Sequence, residues 1–125
     1  MLQRKYNKVS VTNNLTFLPG ARLDADSGLA TAAAGAATLS KMAGTITTEA
    51  LVTAAGGDYT LTLTNKTIAA NDIVLTSVNN GTNTTVGITV CRVSPGAGSV
   101  VILIRNLNAA ALNGTLKISF LVVKA

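Results

Sequence analysis

From Tyr59 to Thr64 apolar residues alternate with threonine, which places Tyr59, Leu61 and Leu63 on one side of an extended strand and Thr60, Thr62 and Thr64 on the other. One side is dry and the other wet. Comparable short runs recur at residues 44–51, 59–65, 72–78, 85–93, 99–106 and 115–124. Turn-forming residues separate them: Ala-Ala-Gly-Gly, Ala-Ala-Asn, Asn79 to Asn83, Pro95 to Gly98, and Asn113-Gly114. Six strands with this punctuation predict an all-β domain, an antiparallel β-sandwich or jelly roll, over residues 41–125. The connections are short enough for hairpins, and Asn-Gly, a strong hairpin signal, occurs at Asn80 and at Asn113.

Two runs break the alternation. Val100 to Ile104 and Leu121 to Val123 are apolar on both faces, and in an antiparallel protein the second face needs a cover. A neighbouring subunit is the economical cover, with Val101, Leu103, Leu121 and Val123 as the contact residues. The alternative is that the alanine-rich segment before residue 40 folds back over these strands.

Residues 1–40 read differently. Isolated apolar positions (Val9, Val11, Leu15, Phe17, Leu18) stand among Asn and Thr, followed by the turn signal Pro19-Gly20. This predicts an extended N-terminal arm with at most one strand near residues 8–12. Residues 29–42 are alanine-rich and read equally as a short helix, capped by Asp26 or Ser27 and weakened by Gly35, or as a linker.

Composition sharpens this picture. At 125 residues one domain can bury a core without disulfides or metal. Charged residues make up 12%, about half the usual share, so Thr, Asn, Ser and Gly must cover the surface. Such a coat can be buried between subunits without the penalty of desolvating ions. The net charge of +5 is weighted to the arm, where Arg4, Lys5, Lys8 and Arg22 all precede the first acid. Four cations without interleaved aromatics form a poor nucleic-acid footprint, so docking on an acidic protein surface is the better reading and no specific nucleic acid is expected. The longest aliphatic run is too short to span a bilayer, so no membrane partner is expected. No signal peptide is visible, which predicts synthesis in a cytoplasm.

Candidate chemistry is sparse. The chain has no histidine and five acids, and the expectation is a protein that is not an enzyme and carries no cofactor. Cys91 lies in a strand-like run and reads as a small buried hydrophobe. Asp24, Asp26 and Gly28 open like a calcium loop, but Gly35 stands where the closing Glu would be needed. Asp58 and Asp72 precede strands, where aspartate initiates turns, and are not paired as glycoside hydrolysis requires. Residues 95–98 lack the Lys-Ser/Thr ending of a phosphate loop and read as a hairpin turn. A sugar platform would want exposed rings, and only Tyr6, Phe17, Tyr59 and Phe120 exist.

The stretches at residues 44–51, 54–64, 89–101 and 110–120 together resemble small β-rich virion proteins of tailed bacteriophages. In size and organisation the chain is most similar to head decoration (cement) proteins. The resemblance covers about residues 44–124 and rests on texture rather than on one motif. It implies a structural protein on the outer surface of the virion head, made in the host cytoplasm, that stabilises the shell by bridging capsid subunits. The implied partners are the major capsid protein and further copies of the chain, a trimer being favoured. Under this reading Leu15, Phe17 and Leu18 anchor the arm on the capsid while Arg4, Lys5, Lys8 and Arg22 steer the approach. The alternative is a fibre or receptor-binding component that meets the host surface.

Overall fold

The computed structural model describes residues 10, 12–14, 16–21 and 25–125. Among the described residues eight strands follow one another: β1 (Ser27–Thr31), β2 (Ala36–Thr38), β3 (Ala43–Thr47), β4 (Asp58–Thr64), β5 (Ile73–Asn80), β6 (Ile88–Gly96), β7 (Ser99–Asn106) and β8 (Leu116–Val123). They form two four-stranded sheets, sheet I in the order β1-β3-β8-β5 and sheet II in the order β2-β4-β7-β6. The described residues contain no helix, and the all-β sandwich expected from the alternation is the fold.

The alternation sorts side chains as read. Tyr59, Leu61 and Leu63 are buried while Thr60, Thr62 and Thr64 are exposed. Leu61, Leu63, Val100, Ile102 and Ile104 from sheet II meet Ile46, Leu116, Ile118, Phe120 and Val122 from sheet I in one core. Burying each such side chain stabilises the fold by about 1.5–3 kcal/mol. Thr48 and Tyr59 find polar partners inside this layer. Thr48 Oγ1 accepts from the Leu116 amide at 2.9 Å and donates to the Glu49 carbonyl at 2.8 Å. The Tyr59 hydroxyl donates to Glu49 at 3.0 Å.

The alanine-rich segment is neither helix nor linker. It supplies β1 and β2, so the sandwich begins at Ser27 and residues 27–40 belong to it rather than to an arm. The physical reason is close packing. A Cβ on Gly44 would lie 2.6 Å from Leu39 Cδ2 and 2.7 Å from the Gly28 carbonyl oxygen, and one on Gly35 would lie 2.7 Å from the Thr60 carbonyl oxygen. Small residues here let backbones approach, which outweighs alanine's helix propensity. The turn between β1 and β2 has Ala34 at φ 50° and Gly35 at φ 75°, closed by Ala33–Ala36 hydrogen bonds at 2.9 and 3.0 Å. Positive φ at both central residues is the type I′ geometry. The segment borders the two sheets and does not cover the outer face of β7.

Two pairings depart from the antiparallel expectation. β1 runs parallel to β3 and β2 parallel to β4. Parallel neighbours need a crossover, and here each crossover is a strand of the opposite sheet. Among consecutive strands, the hairpin is β6–β7, turning at Ala97-Gly98 with Gly98 at φ 78°, as the Pro-Gly-Ala-Gly signal predicts.

The two Asn-Gly pairs do not make hairpins. They lie in crossings between sheets and pack against each other, the Gly81 amide donating to the Thr115 carbonyl at 2.9 Å. Asn83, at the end of a stretch read as turn-forming, is buried: its Nδ2 donates to Asn80 Oδ1 and to the Thr85 carbonyl, and its Oδ1 accepts from the Asn113 amide. Asparagine used as an internal staple replaces asparagine as a turn former. Cys91 is also displaced from its expected place. It is exposed at a bulge, where Val90 pairs with Ile104 and Arg92 with Leu103, so the extra residue turns out of the ladder.

Candidate docking surface

β5 and β8 are neighbours in sheet I, with Ile73 opposite Val123 and Leu75 opposite Leu121. Inward residues Val74, Phe120 and Val122 fix both strands to the core. The intervening side chains must then point outward. Ile73 (56% exposed), Leu75 (55%), Leu121 (37%) and Val123 (41%) form a square of apolar residues on the solvent side. A shallow groove continues from it along Leu75, Ser77, Ser119 and Leu121. Beyond, Thr45 and Ser119 share a hydrogen bond of 2.9 Å, and past them Leu29 stands alone on β1.

The square is held at one corner by an ion pair. The buried Asp72 carboxylate, just before β5, is bound by Lys124, just after β8, and accepts from the amides of Ala69 at 2.8 Å and Ala125 at 3.1 Å. Lys124 first, then these amides, hold the Asp72 carboxyl down at about 2. Lys124 also donates to the Thr67 carbonyl at 2.6 Å. Asp72 therefore does more than initiate a turn: it ties the ends of both patch strands together.

The outer face of sheet II is built from the same pattern with different residues. The register sets Val101 between Thr62 and Ser94, and Leu103 between Thr60 and Arg92. These neighbours leave both apolar residues half-buried. At the end of this face Arg105 clasps Asp58 through two hydrogen bonds, 2.7 and 2.8 Å, and its guanidinium holds the Asp58 carboxyl below its ordinary range.

The residues expected to form one subunit interface therefore divide between opposite faces: Leu121 and Val123 on sheet I, Val101 and Leu103 on sheet II. Leu121 and Val123 are joined instead by Ile73 and Leu75, which sequence reasoning passed over. The signal was present, because Ile73-Val-Leu75 is apolar on both faces just as Val100 to Ile104 is. Of the arm residues expected to dock, Arg4, Lys5, Lys8, Leu15 and Arg22 lie outside the described residues, as does most of the strand expected near residues 8–12. Phe17 and Leu18 are exposed, and Leu18 opens a turn through Gly20 (φ 84°) closed by Ala21 N to Leu18 O at 2.9 Å.

Each of the four acids among the described residues is engaged within the fold. Asp26 pairs with Lys41 at 3.1 Å, in place of the helix cap considered above. Glu49 accepts from the Gly35 amide at 2.8 Å as well as from Tyr59, whose phenol is raised by burial and then by that carboxylate. Among the described residues no three His, Cys, Asp or Glu side chains converge to hold a metal ion. No protein-family model, no curated protein and no solved structure matches the chain.

Proposed function

We propose that the protein is a structural virion component that decorates and stabilises a phage head by bridging capsid subunits. The single observation carrying this reading is the apolar square of Ile73, Leu75, Leu121 and Val123 on a sandwich whose other exposed strand positions, Leu29 apart, carry no large apolar side chain. An exposed apolar cluster rimmed by polar residues marks an interaction site. The resemblance to decoration proteins supports the choice of partners, namely the major capsid protein and further copies of the chain. A capsid clamp works by buried interface alone, and this surface supplies interface without reactive groups.

The test is the copy number per purified phage particle, by quantitative mass spectrometry against the major capsid protein. Hundreds of copies in fixed proportion to that protein are expected, as lattice symmetry requires. A count of about a dozen would assign it to a fibre or vertex, and absence from particles would overturn the virion reading.

A further inference from the structure

The four strands bordering the two sheets are not protected alike. β2 has three residues and β1 five, too short for a long ladder. β6 carries the bulge at Val90/Arg92, the charge of Arg92, and Pro95, which has no amide hydrogen to donate. β5 has eight residues with no charge, proline or bulge. Unpaired strands normally carry such devices because an open row of amides and carbonyls templates further pairing. Among the described residues β8 is the one strand hydrogen-bonded to β5. Near Asn80 the following loop folds back, Asn83 Nδ2 donating to Asn80 Oδ1 at 2.8 Å, which leaves residues 73–77 as the open stretch.

We infer that β5 pairs through residues 73–75 with the same stretch of a second copy, antiparallel about a twofold axis at Val74, so that two copies of sheet I join into one eight-stranded sheet. A second copy is the occupant because isologous pairing satisfies both open edges at once and sets only uncharged side chains against one another along residues 73–75. It also continues the apolar square across the join. With Ile73 opposite Leu75 of the second copy, Val123 and Ile73 of one copy line up with Leu75 and Leu121 of the other, and the axis generates the same row again. Apolar cross-strand pairs of this kind set register. The same register sets Thr76, whose shielded hydroxyl has no partner among the described residues, opposite Asp72 of the second copy. Both residues share the inward parity of Val74. The pairing is independent of the virion reading, and it closes at two copies rather than the three that the resemblance favours.

Sedimentation velocity on the purified chain, combined with hydrogen exchange resolved to β5, tests it. A dimer is expected at micromolar concentration, with residues 73–75 exchanging at least about 10-fold more slowly than after dilution to monomer. Leu75→Lys should weaken association at least about 100-fold by setting like charges near the axis, without changing the melting temperature of the diluted monomer. Ile73→Lys should do the same, and Leu29→Lys, on the far border of the same sheet, should leave the dimer intact. A monomer up to about 100 µM, where a standard-size interface would be formed, would overturn the inference, including the case in which the chain's own residues protect β5. A trimer, or a dimer whose β5 amides exchange as fast as those of β1, would overturn it equally.

Discussion

Sheet I turns Ile73, Leu75, Leu121 and Val123 outward, whereas sheet II surrounds Val101 and Leu103 with Thr60, Thr62, Ser94 and Arg92. Both faces hold β-branched and aliphatic residues on antiparallel strands over the same core. The difference is who stands next to them. A threonine or arginine beside an apolar residue covers it with its own carbon atoms while offering water a hydroxyl or a charge. Four apolar residues standing together offer water nothing. An apolar run in the sequence is therefore ambiguous until its cross-strand neighbours are known, and here register decides which run becomes a contact surface.

The comparison can be broken first at what the two faces share. Ile102→Ala beneath sheet II and Ile118→Ala beneath sheet I should each lower stability by about 2–5 kcal/mol in urea titration, since both side chains are fully buried. Equal losses would confine the asymmetry to the outer surfaces. Next comes Asn106→Ala, which removes donors at 2.8–3.2 Å to the carbonyls of Thr53, Ala54 and Ala110 and an acceptor for the Asn108 amide. Losing these part-buried hydrogen bonds should cost about 1–3 kcal/mol by the same titration.

Acid should separate the Asp72–Lys124 pair from the Asp58–Arg105 pair. The Asp72 carboxyl is lower in the folded chain than in the unfolded one, so its contribution is complete above about pH 4 and is lost as pH falls toward about 2. Asp72→Asn should flatten the stability profile in that window, read as melting temperature against pH. Asp58→Asn should change it less, because the Asp58–Arg105 pair is solvent-exposed and screened. Smallest of all, Leu75→Thr and Leu103→Thr should each shift stability by under about 1 kcal/mol. They should differ in association, which Leu75→Thr weakens and Leu103→Thr leaves unchanged, measured by sedimentation.

Much of the sandwich was legible because alternation is a direct record of which side faces the core. Tyr59 to Thr64 shows this, and the six strands after residue 40 all exist, with ends shifted by a few residues. The alanine-rich segment was not legible, since small residues that favour a helix are also the ones that let β1 and β2 press against β3 and β4. Cys91 was misplaced because a bulge reverses inside and outside, and nothing in the composition marks the extra residue. The docking face was half legible. Leu121 and Val123 stood out as apolar on both sides, but their union with Ile73 and Leu75 depends on β8 lying beside β5, a long-range pairing that local pattern does not encode.

The chain passes from one sheet to the other at each connection except that between β6 and β7. β8, the last strand in the order, lies at the centre of sheet I, between β3 and β5. Sheet I therefore cannot assemble before Leu116–Val123 has been synthesised, and until then the backbones of β3 and β5 lack the strand that joins them. Local pairing can begin at the β6–β7 hairpin, while nearly everything else waits on closure of long loops. Such a topology folds in milliseconds to seconds rather than microseconds, and sheet I, which needs β8, is completed last.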